Sequence, residues 1–242
     1  MTFWLKLPLK WPDIDWHDKH KHHDHHWHHP WPGKDDKDDK DEDCEVPCFT
    51  PGTRIQTNRG MVPVETLRVG DRVVTRDNGH QEIRWIGATE LSAASVLLRP
   101  ELRPIRIAAG CLGDGLPLRD MWVSPQHRIL FRRGSASVHF SDSEVLVPAR
   151  HATRWPGIET ETFVPGVTYI HMMFDHHQLV LSEGAWTESF QPGDHMMNGM
   201  STHQREEIFG IFPDLEAGRL AEVYPSARRT LRSHEAELLA RL

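Results

Sequence analysis

From Cys48 onward, short apolar runs alternate with turn residues. Thr53-Arg-Ile-Gln-Thr57 and Met61-Val-Pro-Val64 flank Asn58-Arg-Gly60 and read as a hairpin. The same alternation predicts strands at Arg72–Thr75, Glu82–Ile86, Pro104–Ala108, Met121–Val123, Arg128–Phe131, Val145–Val147, Thr168–Phe174 and Gln178–Leu181. Turn signals such as Gly70-Asp71 and Asp77-Asn-Gly79 punctuate them, the pattern of an all-β domain built from many short strands. Pro63 and Pro104 lack a ladder donor and belong at strand ends or edges. After about residue 200 the period becomes helical. Thr202-His-Gln-Arg-Glu206 resembles a helix start, and Pro225-Ser226 precedes a predicted helix over Ala227–Leu242. Leu231, Leu238, Leu239 and Leu242 share one face of it, which would dock on the β domain or, alternatively, on a partner.

Before Cys48 neither period is present. The run from Lys34 to Asp43 has no apolar residue to bury, so it is expected to be solvated and disordered. The expected organisation is a His-rich, acidic arm over 1–47, a β domain over 48–195 and a helical appendage over 196–242. A chain of 242 residues accommodates one sizeable domain with such extensions. No apolar run reaches the ~20 residues of a membrane span, so no transmembrane segment is expected. Met1–Trp11 is too briefly apolar, and lacks the small-residue cleavage site, to read as a secretory signal; localisation stays open between cytoplasmic and non-classical export. A net charge of −7 argues against a nucleic-acid partner. Three cysteines are too few for a disulfide scaffold.

The chemistry gathers where the arm meets the domain. Cys48-Phe-Thr-Pro-Gly-Thr53 is followed by Val64-Glu-Thr-Leu67 and Val69-Gly-Asp-Arg-Val73. Val123-Ser124-Pro-Gln-His127 comes later, then Tyr169-Ile-His-Met-Met-Phe-Asp-His-His177 and Glu183-Gly184. In this order the motifs resemble the Hint domain shared by inteins and Hedgehog autoprocessing regions, in its bacterial Cys-Phe-Thr-Pro-Gly-Thr branch. The resemblance runs from Cys48 to about Ser189 and implies a compact all-β, intein-like fold. It implies that Cys48 attacks the Pro47 carbonyl and converts the Pro47–Cys48 amide to a thioester. His127 then occupies the position that protonates the leaving amine, and Ser124 stands where Thr is usual. His171 stands where many inteins have Asp, so an imidazole replaces a carboxylate as base or activator of the thiol. An intein ends in His-Asn, but those positions fall here on Glu188-Ser189. Ser189 has no carboxamide to cyclise, and His195-Met-Met-Asn198-Gly199 has the wrong spacing, so cleavage without splicing is implied. Asp175 and His177 read as turn and strand-pairing residues, and Cys111 as structural.

Elementary chemistry agrees with these residue types. A free thiol titrates near pH 8.5 or so, and an amine leaving group needs a proton, so a Cys requires imidazole neighbours. Pro47 fixes its own φ and extends Val46, which stiffens the approach to the scissile bond. The expected reaction is an N-to-S acyl shift, with the chain's own N-terminal segment as substrate and water or a small nucleophile completing cleavage. It requires no cofactor. His17, His20, His22, His23, His25, His26, His28 and His29 offer imidazoles to Zn, Ni or Cu on the arm. Cys44 could gate the nucleophile by a disulfide if geometry allowed. The rival reading is a non-catalytic Hint scaffold presenting a metal-binding arm. Ser124 for Thr, His171 for Asp and the missing terminal Asn give it weight.

Overall fold

The computed structural model describes residues 46–132, 143–193, 197, 200–216 and 220–239. The chain divides into a unit Met1–Asp39 and a unit Lys40–Leu242, and all described residues lie in the second. Residues 1–45 of the expected arm, with its eight histidines and Cys44, lie outside the described residues, as do His195, Asn198 and Leu242.

The fold is all-β. β1 (Arg54–Thr57) and β2 (Gly60–Pro63) form the expected hairpin, with Thr57 paired to Gly60. Gly60 has φ +98, a left-handed conformation that suits glycine at this turn. β3 (Arg72–Thr75) pairs with β4 (Gly79–Glu82) around Asp77-Asn78. Both β1 and β3 alternate exposed and buried positions, which turns Ile55, Thr57, Val73 and Thr75 inward. β12 (Leu179–Ser182) and β13 (Ala185–Glu188) form a second hairpin, and β8 (Arg128–Arg132) pairs with β9 (Glu144–Pro148). These eight strands make one sheet ordered β2-β1-β3-β12-β13-β8-β9, with β4 on β3.

β5 (Trp85–Ser92) and β11 (Gly166–Met173) pair antiparallel along their full length, from Trp85 opposite Met173 to Ser92 opposite Gly166. β6 (Ile105–Ile107) lies between β7 (Met121–Val123) and β10 (Ile158–Thr160). Short helix α1 (Ala93–Leu98) follows β5, with Ser92 Oγ accepting from Ser95 N as its cap. Among the described residues no helix is long and apolar enough to cross a membrane.

The Glu82–Ile86 run is two strands. Ile83 and Arg84 leave the ladder between them, Ile83 N bonding Asp71 O and Arg84 N bonding Met173 O. β10 and β13 are strands the alternation did not predict.

The C-terminal region also departs from expectation. α2 (Thr202–Ile211) is capped by Ser201, one residue before the predicted start; α3 (Leu220–Val223) and α4 (Ser233–Leu239) follow. Residues 227–232 are not helical. Leu146 N bonds Arg229 O at 2.9 Å and Leu231 N bonds Leu146 O at 2.8 Å, so Thr230 pairs in parallel with Leu146. The cause is β9, which ends the sheet and offers an unpaired edge that this segment covers. Leu231 is buried from an extended segment, whereas Leu238 is half exposed on α4, where Ala236 faces the core instead.

Candidate active site

Backbone pairing fixes the first described residues. Phe49 exchanges hydrogen bonds with Ile170 of β11, at 2.9 and 2.8 Å, and Ser124 N donates to Cys48 O at 3.0 Å. Phe49 also bridges Val123 of β7, so Cys48-Phe49 is strung between β7 and β11. The Phe49 ring enters the core beside Ile55, Val73 and Phe174. Cys48 is fully buried.

Around Cys48 the side chains close on the Val46-Pro47-Cys48 peptides. Ser124 Oγ accepts the Cys48 amide N–H at 2.9 Å and donates to Val46 O at 2.7 Å. Cys48 Sγ also donates to Val46 O, at 2.9 Å, so the thiol folds back beside the peptide that precedes it. The hydroxyl therefore holds the nitrogen of the Pro47–Cys48 bond while the same carbonyl holds the thiol.

His171, midway along β11, brings its Nδ1 to 3.2 Å from Cys48 Sγ. Its ring stacks on Trp85 (centroids 6.1 Å, planes 24° apart) and meets Phe190 edge-on at 5.9 Å. Burial pushes the His171 ring down to about 4, partly offset by a hydrogen bond to the Pro47 carbonyl. Near neutral pH the ring is thus an uncharged imidazole facing both the thiol and the scissile carbonyl, competent to accept a proton.

His127 stands close by without joining this group. Its amide closes the turn onto Ser124 O at 3.0 Å, and its ring packs edge-on against Phe49 at 4.4 Å. Neither ring nitrogen has a hydrogen-bond partner among the described residues. Burial pushes this ring too down to about 4, against the pull of the Glu188 carboxylate. Of the predicted site residues, Pro47, Cys48, Ser124 and His171 come together, and the His127 ring packs against Phe49 without a hydrogen bond to them.

One polar cluster was not anticipated. Glu188, at the end of β13, is completely buried; it accepts Arg128 N at 2.7 Å, pairs with the Arg128 guanidinium, and lies 3.2 Å from His177 Nε2. Ala227 N donates to His177 Nδ1 at 3.0 Å, so in the neutral ring Nε2 carries the proton and faces Glu188. The expected turn residue His177 is therefore a buried polar link to the C-terminal segment. Asp175 is exposed and lies 3.3 Å from Arg84. The available signal was Glu188 beside inward-facing Thr187 on a short strand, where an acidic residue needs a cationic partner.

Among the described residues no group of three or more His, Cys, Asp or Glu could hold a metal ion. Cys111 is partly buried against the β6–β7 core, and burial pushes its thiol up, in keeping with a structural residue.

Comparison with known proteins yields a family and a set of similar folds. Among curated proteins none matches the chain. Solved structures similar to it include the gp41-1 intein, 14% identical, covering 58% of this chain and 97% of the intein at a TM-score of 0.35. A bacterial intein-like domain from Clostridium thermocellum is 12% identical, with coverages of 59% and 97% and a TM-score of 0.37. A DnaB intein from Synechocystis is 10% identical, with coverages of 59% and 98% and a TM-score of 0.36. The Hint domain family matches residues 47–194, more than half of the chain. That span opens at the Pro47–Cys48 bond and contains Ser124, His127 and His171, and by it the chain belongs to the Hint domain family.

Proposed function

We propose that the protein cleaves itself at the Pro47–Cys48 bond through a thioester, without splicing. The observation that carries this reading is the approach of His171 Nδ1 to within 3.2 Å of Cys48 Sγ, on a cysteine whose own amide is held by Ser124. Cys48 Sγ attacks the Pro47 carbonyl carbon and gives its proton to His171 Nδ1. The oxyanion forms on the Pro47 carbonyl oxygen as its carbon becomes tetrahedral. As the tetrahedral centre collapses, the C–N bond breaks and the Cys48 nitrogen leaves as an amine. Ser124 keeps that nitrogen in place, and the proton that His171 took from the thiol passes to it; His127, the expected donor, is uncharged near neutral pH and makes no hydrogen bond to that nitrogen. The shift is an isomerisation: a thiol and an amide become an amine and a thioester, with no net proton change. Water or a small nucleophile then attacks the thioester and releases the segment ending at Pro47, leaving a chain that starts at Cys48.

Splicing has no chemical support at the far end of the domain. Ser189 Oγ accepts Gln178 N at 3.0 Å, a strand-pairing role, and a hydroxyl cannot form the cyclic imide that an Asn side chain forms. The rival reading, a non-catalytic scaffold presenting the His-rich arm, draws on His127, whose ring does not reach the scissile nitrogen. Incubation with a reducing thiol near pH 7–8 separates the two readings. Intact mass should show fragments divided at Pro47/Cys48, and Cys48→Ala should abolish them. Cys48→Ala protein that still divides at that bond overturns the self-cleavage mechanism.

A further inference from the structure

We propose that Trp85 and Glu207 are positioning residues for His171, so that α2, which lies outside the span matched by the Hint family, holds the base of the reaction in register. This rests on the self-cleavage reading above. The geometry starts with a glycine. His171 of β11 is directly opposite Gly87 of β5, and Trp85 is two residues back on the same face. A Cβ on Gly87 would lie 2.5 Å from Trp85 Cζ2 and 2.6 Å from Cη2. Gly87 therefore leaves the space across which the indole lies flat, reaching diagonally over the strand pair to stack on the imidazole.

The indole is anchored from the other side. Trp85 Nε1 donates to Glu207 Oε2 at 3.0 Å, and Gln204 Nε2 of the same helix donates to Ala88 O at 3.1 Å. Ile208 of α2 shares a core with Trp85, Phe190 and Cys48. The helix thus clamps one edge of the indole, and the indole and Phe190 form two walls of the His171 ring. An imidazole so enclosed keeps Nδ1 on the thiol and stays out of water. The groups facing the ring are the Cys48 thiol, the Pro47 carbonyl, Trp85 and Phe190. Glu207, and His203 which pairs with it at 3.3 Å, are charged or titratable but lie beyond the indole.

The test uses the full chain and two readouts. One is the rate of thiol-induced cleavage against pH. The other is the titration of His171, followed by NMR in Cys48→Ala protein and assigned by its loss in His171→Gln. Trp85→Leu should slow cleavage roughly tenfold to hundredfold, the scale set by misplacing a reacting group. It should also raise the His171 titration toward the ordinary value of about 6.5 as water reaches the ring. Trp85→Phe, which keeps a stacking face, should recover most of both. Glu207→Ala should move both in the direction of Trp85→Leu, and Glu207→Gln, which restores an acceptor for the indole N–H, should return them. Unchanged titration in both Trp85→Leu and Glu207→Ala overturns the proposal, whatever the rates. If the wild-type chain does not cleave at all, the self-cleavage reading fails, and the titration still decides whether Trp85 and Glu207 position the ring.

Discussion

At the scale of single residues, Ser124 bridges the two peptides that flank Pro47. One hydroxyl satisfies the Cys48 N–H and the Val46 carbonyl, both buried. Ser124→Ala would leave that pair without its bridge at a cost of about 1–3 kcal/mol. Cleavage should slow with it, whereas Ser124→Thr, which keeps the hydroxyl, should retain the rate; thiol-induced cleavage and urea denaturation check the two halves. The buried histidines set a pH window. His127 and His171 sit near about 4 in the fold, below the ordinary value of about 6.5, because burial disfavours their charged forms. The unfolded chain therefore takes up protons first as pH falls. Stability is full above about pH 6.5 and is lost down to about pH 4, by up to about 3 kcal/mol per ring. Glu188 and Glu144, held low by arginines, extend the loss below that window. Urea midpoints of the Cys48→Ala protein between pH 7 and 4 test this, and a flat profile contradicts it.

At the scale of elements, β8, β13 and the segment after α3 meet at the Arg128–Glu188–His177 cluster. Arg128 also reaches Thr230 Oγ1 at 2.7 Å and Gln191 Oε1 at 2.8 Å, so the cluster ties the covered edge of β9 to the domain. Glu188→Gln would strand a buried guanidinium and should cost about 3–5 kcal/mol in chemical denaturation. The paired change Arg128→Met with Glu188→Leu should cost less than Glu188→Gln alone, since it removes both charges. Equal losses would show that the cluster is not a coupled pair. The strands legible in the sequence were those with period-2 alternation between turn residues, such as β1, β3, β7 and β12. β10 and β13 were not, because their inward positions include Glu188 or their faces are mostly exposed. The extended segment at Thr230 was read as helix because its leucine spacing is helical, while the force that straightens it is a distant strand edge. The same division holds in the site. The motifs named Cys48, Ser124 and His171, but no local pattern could show Trp85 lying over Gly87 or Glu207 reaching it from another helix.

At the scale of the whole molecule, a Hint domain over residues 47–194 follows an N-terminal segment that the proposed reaction would release. We propose that the eight histidines of that segment bind Zn, Ni or Cu independently of the reaction. One equivalent of Zn should leave the cleavage rate nearly unchanged, and excess should inhibit by capturing the Cys48 thiolate. Cleavage stopped by a single equivalent, and relieved by deleting residues 17–29, would instead make the segment a metal switch. The thioester at Pro47 is the intermediate on which cleavage depends, and a nucleophile that traps it reports it directly. Hydroxylamine added to the full-length protein should release a segment whose mass carries a hydroxamate on the Pro47 carbonyl, alongside a chain beginning at Cys48, and neither should form from Cys48→Ala. An unmodified chain after prolonged treatment, or release of the segment from Cys48→Ala, would contradict the account.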